Sequence, residues 1–214
     1  MSREFLFKIL VFGHSGVGKT SIINRYIDNE FGFSHVPTIG VEFRFKDLTV
    51  DDQKIRLQIW DSCGQKSLRM PFTTAIYKNS SAFIVAYDLT DLDSLQELLF
   101  FIEEIENHAN ENPLIVIVGN KADLPSNIEN PEEKIKELTN GKNYKTFRTS
   151  AKESTNVDEL FFYLIKKMKK NAQKMAQSIN DPNKKNDFIT DDQFNNLGGF
   201  RPNPLDEDKG KKCC

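Results

Sequence analysis

Three runs of the chain, Phe5 to Phe12, Ala82 to Tyr87 and Leu114 to Val118, are apolar without alternation, Lys8 apart. A strand of that kind must be covered on both faces, so the chain needs a largely parallel sheet with helices above and below it. The helices are supplied between the runs. Helical periodicity marks Lys19 to Asp28, Asp93 to His108, Glu132 to Leu138 and Val157 to Gln177, the last with Leu160, Phe161, Leu164, Ile165 and Met168 on one stripe. Val41 to Val50 and Lys54 to Trp60 read differently: they alternate apolar with polar residues and flank Asp51-Asp52, the pattern of an antiparallel hairpin at a sheet edge. With Lys145 to Thr149 as a further strand, the expectation is an α/β fold on a mostly parallel, mixed sheet of about six strands.

This pattern stops near Gln177. Ser178 to Lys212 is rich in Asn, Asp, Lys, Pro and Gly and carries too few apolar residues to bury a core. Residues 1–177 are therefore expected to form one domain and 178–214 a flexible tail. Phe188, Ile189, Phe194, Leu197 and Phe200 are scattered along that tail and are read as undocked. The lysines from Lys166 to Lys174 are read as a solvated end of the last helix. A net charge of −2 over 214 residues excludes the basic excess expected of a nucleic-acid-binding domain. No run approaches the roughly 18 apolar residues of a membrane span. The N-terminus has no signal-peptide core, and Ser2 in place of glycine argues against myristoylation. The three cysteines, two of them Cys213 and Cys214, offer neither a disulfide framework nor a metal-ligand spacing, which suits a reducing compartment.

Between the first strand and the first helix stands Gly13-His14-Ser15-Gly16-Val17-Gly18-Lys19-Thr20. This is G-x-x-x-x-G-K-[ST] in the context that the motif requires. Its glycines let successive backbone N–H groups face an anion at a helix N-terminus. Lys19 is placed to reach β- and γ-phosphates, and Thr20 to offer its hydroxyl to Mg²⁺. His14 is read as a filler. Alone, the motif also fits ATPases and kinases.

Asn120-Lys121-Ala122-Asp123 follows the strand that begins at Leu114, at the strand end where open α/β sheets bind ligands. A carboxylate at Asp123 can accept from both N1–H and the exocyclic amine of guanine. Adenine offers an acceptor and no amine there, and a buried carboxylate facing an acceptor discriminates by roughly 10⁴ or more. Ser150-Ala151-Lys152, after the strand at Lys145, is expected to close the base pocket from the other side.

These motifs occur in one order along the chain, together with Pro37-Thr38-Ile39-Gly40 and Trp60-Asp61-Ser62-Cys63-Gly64-Gln65. Over Phe5 to Gln177 the sequence resembles the Ras superfamily of small GTPases. The branch it resembles most is the Rab family, through Ile39-Gly40-Val41-Glu42-Phe43, Arg56-Leu57-Gln58-Ile59-Trp60-Asp61 and the Cys213-Cys214 ending. The resemblance implies a three-layer P-loop NTPase fold with helices on both faces of the sheet. It implies GTP/GDP and Mg²⁺ as cofactors, held by Gly13, Ser15, Gly16, Val17, Gly18, Lys19, Thr20 and Ser21. Thr38 joins Thr20 and Asp61 at the metal, and the Gly64 N–H contacts the γ-phosphate. Phe31 packs on the guanine, which Asn120, Lys121, Asp123, Ser150, Ala151 and Lys152 bind. Gln65 orients the attacking water. No arginine finger is assignable within the chain, so hydrolysis is expected to be slow without an activating protein.

The implied partners are a nucleotide exchange factor, a GTPase-activating protein, effectors, the prenylation machinery and a GDP-dissociation inhibitor. Cys213 and Cys214 resemble the Rab signal for two geranylgeranyl chains, which would anchor a hypervariable tail to the cytoplasmic face of an endomembrane. Phe43 and Trp60 are expected to be exposed toward effectors. The sequence departs from the Rab pattern at Cys63, Lys66 and Ile76-Tyr77, and its second switch is one residue longer. Cys63 is read as a small residue in place of alanine. A GTP-binding scaffold that barely hydrolyses, and a P-loop kinase or ATPase, stand as alternative readings.

Overall fold

A computed structural model describes residues 4–32, 38, 41–62 and 74–179. Among these, six strands form a single sheet: β1 (Glu4–Gly13), β2 (Val41–Val50), β3 (Gln53–Ser62), β4 (Ala82–Asp88), β5 (Ile115–Asn120) and β6 (Lys145–Arg148). Their spatial order is β2-β3-β1-β4-β5-β6, antiparallel between β2 and β3 and parallel elsewhere. The helices are α1 (Lys19–Asp28), α2 (Thr74–Lys78), α3 (Leu92–Gln96), α4 (Leu98–His108), α5 (Pro131–Leu138) and α6 (Val157–Ile179).

The unpatterned strands divide their residues between two cores, because successive side chains on a strand point to opposite faces. Ile9, Val11, Ile84, Val116 and Val118 pack with Ile22 and Ile23 of α1 and Leu160, Phe161, Leu164 and Met168 of α6. Leu10, Phe12, Phe83, Val85, Ile115 and Ile117 pack with Leu95 of α3, Leu98, Phe101 and Ile102 of α4, and Ile135 of α5. This gives the expected three layers, with helices on both faces. The hairpin is equally legible: Asp51 (φ 52°) and Asp52 (φ 56°) both adopt the left-handed conformation that a two-residue turn between twisted strands demands.

Three features depart from the reading of the sequence. The helix expected over Asp93 to His108 is broken at Glu97 into α3 and α4, where the Glu97 N–H is shared between the Asp93 and Leu95 carbonyls. Short α2 was not anticipated. It seats Tyr77, 3% exposed, against Phe12 and Phe83, where tertiary contact rather than periodicity stabilises five residues of helix. Finally, Lys169 does not belong to a solvated helix end. It is 6% exposed, and its ammonium donates to Val50 O at 3.0 Å and Asp51 Oδ2 at 2.8 Å, tying α6 to the hairpin turn.

Strand order reverses at β1, so the loop after β1 lies at the switch point of the sheet, and the carboxyl ends of β1, β4, β5 and β6 share one edge. Among the described residues no helix is long and apolar enough to cross a membrane.

Candidate functional site

The loop after β1 is held in a shape that only glycine permits at two of its corners. Gly13 has φ 143°, and a Cβ there would stand 2.2 Å from the Ala86 carbonyl oxygen of neighbouring β4. Gly18 has φ 94°, and a Cβ there would stand 2.4 Å from Asn120 Nδ2. Lys19 begins α1 directly after this turn and is 6% exposed. Its ammonium donates to Gly13 O at 3.0 Å and His14 O at 2.9 Å, so it lies back across the loop. Val17 turns inward and is part of the core, whereas Gly16 is exposed at the loop tip.

Beside Lys19, three oxygen-bearing side chains from separate segments converge. Thr20 Oγ1 donates to Asp61 Oδ2 at 2.5 Å and lies 3.1 Å from Thr38 Oγ1. Asp61, at the end of β3, is 6% exposed, and its Oδ1 is buried without a hydrogen-bond partner among the described residues. Burial pushes the Asp61 carboxyl above its ordinary range, against the opposing pull of the Thr20 hydroxyl and the Lys19 charge. A buried carboxylate oxygen lacking a donor, next to two hydroxyls, is a hard-oxygen set suited to Mg²⁺. The residues fit the ion that the sequence implies.

On the other side of Lys19, Asn120 ends β5 with its side-chain amide turned inward. Nδ2 donates to Val17 O at 2.9 Å, while Oδ1 accepts from Thr149 Oγ1 and from the Ala151 N–H, both at 3.2 Å. One buried amide thus pins the phosphate loop to the loop after β6. Asp123, three residues further on, accepts from Ser150 Oγ at 2.7 Å, with Lys152 Nζ 3.9 Å from its other oxygen. Ser150 Oγ accepts in turn from the Glu153 N–H at 2.9 Å, which fixes the hydroxyl's direction toward Asp123. Lys121 sits at φ 65° and its ammonium lies 2.5 Å from buried Asp88 Oδ2 at the end of β4. Phe31, just past the end of α1, is half-buried against the first core.

The structure therefore gathers Gly13, Val17, Gly18, Lys19, Thr20, Thr38, Asp61, Asn120, Lys121, Asp123, Ser150, Ala151 and Lys152 along one edge of the sheet. Ser15, within the loop after β1, and Ser21, in the first turn of α1, are half-buried. Gly64, Gln65, Cys63, Lys66, Cys213 and Cys214 lie outside the described residues. Three residues escaped the sequence reading, one of them Thr149, whose hydroxyl holds Asn120. Asp88 anchors Lys121 and also accepts from the Thr90 N–H and hydroxyl. Arg25 reaches from α1 to the carbonyls of Ala151 and Lys152. None of the three belongs to a motif, and an acidic strand end or a basic last helical turn gives no signal that separates it from an ordinary surface charge.

Comparison with known proteins matches the Ras family model over residues 8–170. The chain is 38% identical to Ras-related protein RAB1BV of Beta vulgaris over 82% of this chain and 80% of that protein. It is 36% identical to Ras-related protein Rab-8B of Homo sapiens over 84% and 85% of the two chains, and 36% identical to GTP-binding protein ypt2 of Schizosaccharomyces pombe over 79% and 84%. With its site residues gathered along one edge of a six-stranded sheet, a Ras family match over residues 8–170, and Ras-related relatives in plant and animal at 36–38% identity, this chain belongs to the Ras family, on its Rab branch.

Proposed function

We propose that this Rab-type GTPase reads guanine with the Asp123 carboxylate, grips the phosphates with the loop from Gly13 to Ser21, and signals through the segments around Thr38 and Gln65. As a Rab-like switch it binds and hydrolyses GTP and acts with regulators and effectors in vesicle traffic. The observation that supports the site reading best is the Asn120 amide, which joins Val17 of the phosphate loop to Thr149 and Ala151 beside Asp123. Phosphate grip and base recognition are thereby one rigid unit, matched to a ligand with an anion at one end and a hydrogen-bonding base at the other.

Within that unit each residue has a physical task. Lys19 brings its charge to the β- and γ-phosphate oxygens, and backbone N–H groups of Ser15, Gly16, Val17 and Gly18 surround them. Thr20, Thr38 and Asp61 would hold Mg²⁺, which when bound neutralises charge on the phosphate oxygens. Phe31 and Lys121 flank the base, and Ser150 keeps the Asp123 carboxylate aimed at it while Ala151 and Lys152 close the pocket. Gln65 orients the attacking water, and the Gly64 N–H contacts the γ-phosphate. Once that phosphate leaves, the segments bearing Thr38 and Gly64 lose their tether, a release of order that effectors detect. Phe43, 46% exposed, provides an apolar contact beside the first of these segments, whereas Trp60, expected to be exposed with it, is half-buried beneath it at 5.0 Å and packs on the second core.

The remaining assignments complete the reading. Residues 1–177 act as the switch domain and 178–214 as a hypervariable tail, with lipids on Cys213 and Cys214 installed by prenylation machinery. A GDP-dissociation inhibitor would return the protein from the cytoplasmic face of an endomembrane to the cytosol. The Rab relatives favour hydrolysis over a merely GTP-binding scaffold. Single-turnover hydrolysis tests the catalytic assignment. Gln65→Leu should slow GTP cleavage by at least about tenfold with little change in GTP affinity, because only the water-positioning group is lost. An unchanged rate removes Gln65 from that role.

A further inference from the structure

Arg25 carries a set of contacts that the reading above does not use. Its Nε–H donates to Ala151 O at 2.8 Å and its Nη2 to Lys152 O at 3.1 Å. On the opposite side of the guanidinium, Nη1 donates to Asn29 O at 2.7 Å and to Asn29 Oδ1 at 3.0 Å. These partners belong to two segments far apart in sequence. Ala151 and Lys152 follow Ser150, which orients the Asp123 carboxylate. Asn29, in the left-handed conformation at φ 59°, ends α1 and turns the chain toward Phe31. One planar cation therefore spans the two sides of the base pocket, and the Ala151 peptide is clamped at both ends, its N–H by Asn120 and its carbonyl by Arg25.

We propose that Arg25 is a positioning residue that locks the loop of Ala151 and Lys152 to the segment leading into Phe31, and thereby sets the lifetime of the bound guanine nucleotide. The inference rests on the guanine-site reading above. A guanidinium suits this task because its rigid fork satisfies several carbonyls in one plane, which a lysine ammonium does not. None of the four contacts touches the phosphate loop or the threonine–aspartate cluster. The effect of losing them therefore falls on the base side and does not depend on the metal.

The test is release of a fluorescent GDP analogue from the full-length chain, chased with excess unlabelled GDP, in Mg²⁺ and again in EDTA. Arg25→Gln should release nucleotide about tenfold faster than wild type, and by the same factor in both conditions, from the loss of charge-assisted bonds to Ala151 and Lys152. Arg25→Lys keeps the aliphatic stem and the charge but loses the fork, and should fall between the two. That partial rescue, together with the metal-independent factor, is what a merely structural role would not produce. Release from Arg25→Gln within about twofold of wild type, or an acceleration that vanishes in EDTA, overturns the proposal. Asp123→Asn separates this from failure of the base-site reading. If that variant does not shift preference from GDP toward xanthosine diphosphate, the base-site reading fails; if it does and the Arg25 variants release like wild type, only the role of Arg25 fails.

Discussion

Asn120→Ala removes the buried amide that joins the two halves of the proposed nucleotide site. Three hydrogen bonds meet at this side chain, one donated to Val17 O and two accepted from Thr149 Oγ1 and Ala151 N–H, and the residue is 2% exposed. At roughly 1 kcal/mol net for each bond, the loss amounts to about 3 kcal/mol, and water cannot readily reach the orphaned groups to reduce it. For a domain of this size 1 kcal/mol moves the melting temperature by about 2–4 °C, so the variant should melt about 6–12 °C below wild type. The assay is thermal unfolding followed by circular dichroism, with GDP and Mg²⁺ held at one excess for every variant, because bound ligand itself shifts the midpoint. Thr149→Val removes one of the three bonds and should cost about 1 kcal/mol alone. Added to Asn120→Ala it should cost almost nothing further, since its partner is already gone. A shift smaller than about 2 °C for Asn120→Ala, or full additivity in the double variant, would refute the claim that these bonds act through one shared node.

Other outcomes follow from contacts away from the nucleotide. Lys169→Met keeps the packing of α6 but releases the hairpin turn, so hydrogen exchange at the turn amides around Asp52 should quicken while GDP release stays unchanged; unaltered exchange would deny the tie. Burial raises the Glu106 carboxyl, but bonds from Lys142 and Tyr144 outweigh it and hold the group below its ordinary range. Its contribution is therefore present at neutral pH and lost as pH falls through the lowered value. Wild type should exceed Glu106→Gln in stability at pH 7 by less than about 1 kcal/mol, given the exposure of the pair, with the gap closing in acid; a gap independent of pH would contradict this. Replacing both Cys213 and Cys214 with serine should leave a nucleotide-binding protein that no longer sediments with membranes, and retained sedimentation would count against the lipid anchor.

Much of the fold is legible in the sequence because burial on both faces leaves no room for polar alternation. That constraint exposes β1, β4 and β5 as central strands before any coordinate is known. The hairpin is legible for the complementary reason, one face being wet and the turn being Asp51-Asp52. The break at Glu97 and short α2 are not, because both depend on which distant side chain is near. Tyr77 needs Phe12 and Phe83 beside it, and periodicity over five residues cannot reveal that. The site divides in the same way. The glycines at Gly13 and Gly18 are dictated by local sterics, and the carboxylate at Asp123 by the guanine edge proposed for it, so a motif carries them. Arg25, Asp88 and Thr149 act through backbone carbonyls and a neighbouring amide or ammonium that the fold alone brings within reach. Lys169 shows the same limit from the other direction: a lysine in a charged run reads as solvated until a hairpin turn is found lying across it.

The most direct test of the whole account is calorimetric titration of nucleotide-free protein with GDP and with ADP in the presence of Mg²⁺. The proposed reading of guanine by the Asp123 carboxylate, which Asn120 and Ser150 link to the loop of Val17, predicts that GDP binds at least about 10⁴-fold more tightly than ADP. Equal affinities for the two nucleotides, or no binding of GDP, would contradict it.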